Sequence, residues 1–121
     1  MKFDKLDAIF NLQGGFDNRL AAERGLDYSD ASEWVQRGVL AMLSELAELL
    51  DATRNWKWWK NPEPIDRENL LEELVDILHF YVSTCLKAGF TPDDIFNAYA
   101  LKNVENHARQ DGVSRKGYKP L

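Results

Sequence analysis

Apolar residues recur at steps of three and four along most of this chain, which is the spacing of one face of an α-helix. The pattern predicts four helices, over about residues 3–24, 30–54, 66–89 and 91–109. Because no alternating strand pattern competes, we predict an all-α fold, a four-helix antiparallel bundle. The apolar stripes are wide for one small bundle, so we expect a homodimer in which a second copy completes the core.

Capping residues mark the ends of these helices. Asp30 precedes the second helix, and Thr91 precedes the fourth, with Pro92 at its first helical position. Gly89 is placed to end the third helix. The segment 55–66, rich in Trp, Lys and Pro, is predicted to be a loop.

Size and charge limit the classes of protein that fit. A chain of 121 residues, of which 45% are hydrophobic, can form one core, so we predict a single domain over 1–121, with 109–121 as a tail that could cover bound phosphates. The formal net charge of −5 argues against a nucleic-acid partner. No apolar run is long enough for a membrane span. With one cysteine and no secretory signal at the N-terminus, we expect a cytoplasmic protein.

Matching acidic pairs occur on the second and third helices. Glu45 and Glu48 stand beside the apolar stripe of one helix, and Glu73 and Asp76 hold equivalent positions on the other. If these helices pack antiparallel, both pairs fall on the same side of the seam between them. The sequence therefore predicts that four carboxylates converge.

Converging carboxylates repel one another unless a cation lies between them. Mg²⁺ prefers all-oxygen ligands of this kind and also binds phosphates and water. The alternative is a solvated acidic face neutralised by Lys or Arg, but few basic residues lie one helical turn away. We therefore predict a Mg²⁺ site formed by these four residues.

The same acids belong to a longer ordered series of residues. Glu45-x-x-Glu48 followed by Glu73-x-x-Asp76 resembles the signature of the all-α nucleoside triphosphate pyrophosphatases, the superfamily of MazG-like enzymes and dimeric dUTPases. Further segments resemble the dimeric dUTPase branch, namely Leu12-Gln13, 53–59, 73–80, Lys102-Asn103-x-x-Asn106-x-x-Arg109-Gln110 and Gly117-Tyr118-Lys119. The acids alone specify only the superfamily, whereas the full series spans nearly the whole chain.

The resemblance implies an activity and a division of roles. It implies Mg²⁺-dependent hydrolysis of dUTP to dUMP and pyrophosphate by an activated water molecule. The four acids would bind the metal, and Glu48 or Glu45 would also orient or deprotonate the water. The sequence leaves open which carboxylate is the general base.

Substrate contacts are expected from side chains around this signature. Cationic and amide groups would bind the triphosphate, while aromatic and amide groups would hold the nucleoside. The expected phosphate contacts are Lys57, Lys102, Asn103, Asn106, Arg109, Lys116 and Lys119, and the expected base or sugar contacts are Gln13, Asn18, Trp59, His79 and Phe80. The alternative for each is an ordinary solvated charge, a peripheral histidine or an aromatic packed under a loop.

Asp17 departs from the family pattern. The family often has an amide at this place, and a carboxylate cannot donate a hydrogen bond to a uracil carbonyl. The departure leaves open a preference for another base, or a shift of the base contact to Asn18.

The sequence is therefore consistent with three functions. The leading one is a dUTP pyrophosphatase. The second is a MazG-like pyrophosphatase that acts on dCTP or a modified nucleotide. The third is a non-catalytic helical binding protein that uses the Trp-rich loop.

Overall fold

The computed structural model describes residues 3–117 and 119–120 of the chain. Its helices are α1 (Lys5–Arg24), α2 (Ala31–Ala52), α3 (Arg67–Lys87) and α4 (Pro92–Gln110), and the described residues contain no strand. The prediction of an all-α fold with four helices is confirmed. None of the described helices is both long and apolar enough to cross a membrane.

The chain divides into two compact units. The first, Met1–Gly89, contains α1, α2 and α3, and the second, Phe90–Leu121, contains α4. Each unit is described by itself below. A single functional domain over 1–121 stays a prediction.

Each helix begins after a side chain that accepts a hydrogen bond from a backbone amide of the first turn. These N-caps are Asp4, Asp30, Asp66 and Thr91. The predicted caps at Asp30 and Thr91 are confirmed. Because Asp4 caps α1, that helix begins at Lys5, slightly later than the apolar pattern predicted.

Backbone conformation explains where α2 and α3 end. Arg54 and Asn55 have φ values of +58° and +50°, so α2 cannot continue to Arg54 as predicted and ends at Ala52. Gly89 has φ of +88°, which glycine adopts without a steric penalty, and it follows the last turn of α3 as the sequence predicted.

α2 and α3 pack antiparallel at close range. Gly38 lies against Thr84 near one end of the seam, and Glu45 lies near Asp76 further along, so residue numbers rise on one helix as they fall on the other. A Cβ atom at position 38 would overlap Thr84 Oγ1. The glycine therefore permits the short separation of these two helices.

α1 packs beside α3 and runs parallel to it. Gln13 contacts His79 and Asp17 contacts Ser83, so residue numbers rise together on the two helices. With α2 antiparallel to α3, the first unit has an up–down–up arrangement, the topology of an antiparallel bundle.

Few apolar side chains are fully buried in the described chain. The buried ones are Phe10, Ala52, Val82 and Cys85. Many residues of the predicted apolar stripes are exposed in the single chain instead. Those on α2 are Val39, Leu46 and Leu50, and those on α3 are Leu74, Leu78 and Tyr81.

The segment between α2 and α3 is a loop, as predicted, and its own contacts fix its shape. Asn55 Nδ2 donates to the backbone carbonyl of Glu63 at 2.9 Å, and the Glu63 amide donates back to Asn55 Oδ1 at 2.7 Å. Arg54 forms an ion pair with Glu63 at 2.6 Å. The rings of Trp58 and Trp59 meet edge to face with centroids 4.7 Å apart. The loop therefore presents its tryptophans in a defined arrangement.

Candidate metal centre and adjoining cavity

The four acidic residues predicted to bind a metal lie together at the seam between α2 and α3. Glu45, Glu48, Glu73 and Asp76 each offer one carboxylate oxygen, and these oxygens all lie within 4.8 Å of one another. The i,i+3 spacing puts both members of a pair on one face of their helix, and the antiparallel packing brings the two faces together. The convergence predicted from the sequence is present in the structure.

Two oxygens of this acidic cluster are buried without a hydrogen-bond donor. Glu45 Oε2 and Glu73 Oε2 are shielded from solvent, and neither has a partner among the described residues. Burial raises the pKa of both glutamates, and the neighbouring carboxylates of Glu48 and Asp76 raise it further. Buried acceptors normally have partners, so the residues present fit an all-oxygen site for a divalent cation.

The ion pairs of the described chain do not offer an alternative explanation of this cluster. They join Arg19 to Glu23, Arg37 to Glu33, Arg54 to Glu63 and Lys87 to Asp17. These acids lie outside the cluster. A solvated acidic face neutralised by neighbouring basic residues is therefore the weaker interpretation.

A cavity of about 530 Å³ opens beside the acidic cluster. Glu45 and Asp76 form part of its wall, so the cavity and the cluster are continuous. Aromatic side chains from all three helices of the first unit complete the wall, namely Phe16, Trp34 and Phe80. This size and this mixture of aromatic and polar groups suit a nucleoside.

Buried polar side chains form the floor of the cavity. Asp17 Oδ1 accepts a hydrogen bond from Gln13 Nε2 at 3.1 Å, and Asp17 Oδ2 accepts one from Ser83 Oγ at 2.9 Å. Gln13 Oε1 lies 2.8 Å from His79 Nδ1. Asp17, Gln13 and Ser83 are all buried. The floor is therefore a fixed network rather than a set of mobile side chains.

Lys87 lies at the side of this floor. Its ammonium is 3.9 Å from Asp17 Oδ1, and it also lies over the rings of Tyr28 and Trp34, at 4.5 Å and 4.9 Å from their centroids. The Tyr28 hydroxyl donates to the backbone carbonyl of Asp17 at 2.7 Å. These contacts hold a positive charge beside the Asp17 carboxylate.

The structure brings some of the predicted base contacts together and not others. Gln13, His79 and Phe80 line the cavity. Asn18 is exposed on α1 and does not line it, because the neighbouring position, Asp17, takes that place. Asp17, the residue that departs from the family pattern, therefore lines the cavity.

The predicted phosphate contacts are divided between the loop that follows α2 and the second unit. Lys57 Nζ lies 5.3 Å from the centroid of the Trp56 ring in the loop, and neither Lys57 nor Trp59 lines the cavity. The others belong to the second unit, namely Lys102, Asn103, Asn106, Arg109, Lys116 and Lys119. There Arg109 Nε donates to the Lys119 carbonyl at 3.1 Å, so the tail contacts the end of α4. Tyr118 lies outside the described residues.

Several cavity residues were not singled out from the sequence. They are Trp34, Arg37, Ser83 and Lys87, and Asp17 was noted only as a departure. One signal could have found three of them. Gln13 and Asp17 are four residues apart on α1, and His79, Ser83 and Lys87 follow one another at steps of four on α3. Such rows indicate a polar stripe beside the apolar one.

Comparison with known proteins places this site in a family. Residues 5–90 match the family model described as dUTPase. The chain belongs to this dUTPase family. The matched region contains the acidic cluster and every residue of the cavity. The resemblance noted in the sequence to the dimeric, all-α dUTPases is thereby confirmed.

Curated relatives carry a different substrate in their names. The chain is 34% identical over 73 residues to the dCTP pyrophosphatase of Enterobacteria phage LZ5, covering 50% of this chain and 42% of that protein. It is 33% identical over 88 residues to the dCTP pyrophosphatase of Enterobacteria phage T4, covering 62% of this chain and 52% of that protein. The chain thus spans about half the length of these relatives. No solved structure matches it.

Proposed function

We propose that this member of the dUTPase family is a divalent-metal-dependent pyrophosphohydrolase of a pyrimidine deoxynucleoside triphosphate. One observation carries the proposal: four carboxylates converge within 4.8 Å of one another, and two of them line a cavity of nucleoside size. The names of the phage relatives support the same class of reaction. Mg²⁺ is the metal we expect, because the ligands are all oxygen.

The roles of the acidic residues follow from their surroundings. Glu45, Glu73 and Asp76 are half-buried and would hold the metal together with Glu48. A bound Mg²⁺ would neutralise phosphate charge and lower the pKa of a water molecule. Glu48 is the exposed member, so solvent water reaches it directly. We assign to Glu48 the orientation and deprotonation of the water that attacks the α-phosphorus, with pyrophosphate as the leaving group.

Two substrates fit this proposal. The family supports dUTP, and the names of the phage relatives support dCTP. In either case the base enters the cavity, where Gln13, His79 and Phe80 would contact it. The cationic and amide residues of the second unit and of the Trp loop stay predicted phosphate contacts.

A panel of nucleotides tests the proposed function. Pyrophosphate release is measured for deoxynucleoside and ribonucleoside triphosphates, with Mg²⁺ and with a chelator. We expect release from dUTP or dCTP, and loss of release when the chelator is present. If no nucleotide is hydrolysed and none raises the melting midpoint, the non-catalytic binding protein becomes the better interpretation.

We also propose that the protein is a homodimer. Large apolar side chains are strongly exposed in the single chain, including Leu12, Leu40 and Leu71 at 74%, 66% and 63%. Exposed apolar groups on this scale are typical of a surface that another chain covers. Light scattering should give about twice the mass of one chain, and a monomer at micromolar concentration would contradict the proposal. Location in the cytoplasm stays a prediction.

A further inference from the structure

We propose that Asp17 selects the base and that the cavity binds cytosine in preference to uracil. Cytosine carries an amino group at position 4, opposite the bond to the sugar. The inference rests on the proposed function, because it assumes that the cavity beside the acidic cluster receives the nucleoside. It goes beyond that function by naming the substrate and the residue that distinguishes it.

The position of the cavity fixes how a nucleotide would enter. Glu45 and Asp76 line it at the acidic cluster, so phosphates bound through a cation would lie at that end. The base would then extend towards the buried floor. The exocyclic group at position 4 of a pyrimidine lies opposite the bond to the sugar, so it is the part that reaches deepest. It would meet Asp17, Gln13 and Ser83.

The floor has already used most of its hydrogen-bond donors. The hydroxyl of Ser83 has one hydrogen, and it is directed at Asp17, with Oγ 2.9 Å from Oδ2 and 3.1 Å from Oδ1. One N–H of Gln13 is used in the same way, with Nε2 3.1 Å from Asp17 Oδ1. A carboxylate has about four lone-pair positions and, when ionised, no donor. What Asp17 offers to a ligand is therefore an acceptor.

The two oxygens of Asp17 are not equally occupied. Gln13, Ser83 and the Lys87 ammonium all approach Oδ1, the last at 3.9 Å. Oδ2 receives only the Ser83 hydroxyl among the hydrogen bonds of the described residues. Oδ2 is thus the atom with capacity for a hydrogen bond from a ligand.

This arrangement matches cytosine. The 4-amino group can donate to Asp17 Oδ2, and the second N–H of Gln13 Nε2 is available for the acceptor N3 of the ring. Uracil reverses this pattern, with an acceptor carbonyl at position 4 and a donor at N3. In the same pose its carbonyl would face the Asp17 carboxylate, and its N3–H would face the N–H of Gln13. Sites built to bond a polar group reject an analogue that lacks it, so we expect a preference for dCTP of roughly tenfold or more.

The substitution Asp17→Asn tests the inference. The amide keeps the shape of the side chain and adds two N–H donors. The kcat/KM ratio of dCTP to dUTP is measured for the wild-type protein, for Asp17→Asn and for Glu23→Gln. We expect a preference for dCTP in the wild type that falls by at least about tenfold in Asp17→Asn. Glu23→Gln removes a charge from the exposed face of the same helix, where Glu23 pairs with Arg19, and should match the wild type.

A wild-type preference for dUTP, or an unchanged ratio in a folded Asp17→Asn protein, would overturn the inference and leave the proposed function intact. If Asp17→Asn does not fold, the inference is tested on the wild-type protein instead. Its kcat/KM for dCTP is compared with that for a dCTP analogue that has hydrogen in place of the 4-amino group. We expect at least a tenfold loss of kcat/KM for that analogue. An equal rate would contradict a bond from the amino group.

Binding separates a failure of this inference from a failure of the proposed function. Calorimetry with the α,β-imido analogues of dCTP and dUTP needs no hydrolysis. If no nucleotide is hydrolysed, the proposed function fails, yet tighter binding of the dCTP analogue would still support the base preference. Equal binding of the two analogues, or no binding of either, would refute it.

Discussion

The carboxylates of Glu45 and Glu73 occupy positions that are unfavourable for an anion in the metal-free protein. Each has one oxygen that is buried without a donor among the described residues, and each faces the negative charges of Glu48 and Asp76. A bound cation would replace the missing donors and reverse the repulsion. Folding stability and metal binding should therefore be linked through these two residues.

Glu45 and Glu73 should contribute less to the stability of the metal-free protein as the pH rises. The pKa of Glu45 and of Glu73 is raised above its ordinary value of 4.5 by burial and by the neighbouring carboxylates. A group whose folded-state pKa is raised contributes its stabilisation below the unfolded pKa and loses it as the pH rises through the folded pKa. From pH 4.5 upwards, melting midpoints in a chelator should thus decline more steeply for the wild type than for a protein without these two carboxylates, and saturating Mg²⁺ should reduce the difference. A double substitution Glu45→Gln/Glu73→Gln that declines as steeply as the wild type would contradict this.

Glu48→Gln should separate catalysis from folding. The amide cannot accept a proton from water and is a poorer metal ligand, so kcat should fall by roughly 100-fold or more. Because one negative charge leaves the cluster, the melting midpoint in a chelator should stay the same or rise. The matched control is Glu72→Gln, an exposed glutamate of α3 outside the cluster, which should keep its activity. An unfolded Glu48→Gln protein would show that this carboxylate is structural.

Among the contacts between helices, the close packing of α2 against α3 depends on Gly38. Thr84 lies so close that a Cβ atom on residue 38 would overlap its hydroxyl oxygen. The same close approach brings the acidic pairs together further along the seam. The geometry of the acidic cluster is therefore set by the helix separation as well as by the acids.

Gly38→Ala should destabilise the protein, although alanine favours a helix. We expect a loss of about 1–3 kcal/mol in the free energy of unfolding, because the new methyl group overpacks the seam. Gly15→Ala is the control, since its Cβ meets nothing within 4 Å, and it should stabilise by about 0.5–1 kcal/mol. Urea denaturation measures both. Adding Thr84→Ala to Gly38→Ala should recover part of the loss, and a Gly38→Ala protein as stable as the wild type would refute the close packing.

Local signals predicted the helices well, and they predicted the convergence of the four acidic residues. The caps at Asp30 and Thr91 act within one helical turn, so the sequence carries them directly. The acidic cluster could be predicted because antiparallel packing of α2 and α3 is the one assumption needed to bring the two acidic pairs together. The cavity floor could not, because it depends on the register of α1 against α3, which joins residues 66 positions apart such as Asp17 and Ser83. A row of polar residues on one helix predicts a polar contact, but it does not show which residues of another helix make that contact.

At the scale of the whole molecule, the predicted functional residues are distributed unevenly between the two units. The acidic cluster and the cavity lie in the first unit, and the family match ends at Phe90, the first residue of the second unit. The second unit carries the predicted phosphate contacts on α4 and the tail, where Arg109 bonds to the Lys119 carbonyl. The contribution of these residues to binding of the triphosphate stays a prediction.

Titration calorimetry of the metal-free protein with Mg²⁺ tests the central claim most directly. It is performed on the wild type, on Glu45→Gln/Glu73→Gln and on the matched control Glu68→Gln/Glu72→Gln, which removes the same charge from α3 outside the cluster. We predict saturable Mg²⁺ binding to the wild type and to the control, and its loss in the cluster variant. Equal binding by all three proteins, or no binding by the wild type, would contradict a metal centre at the α2–α3 seam.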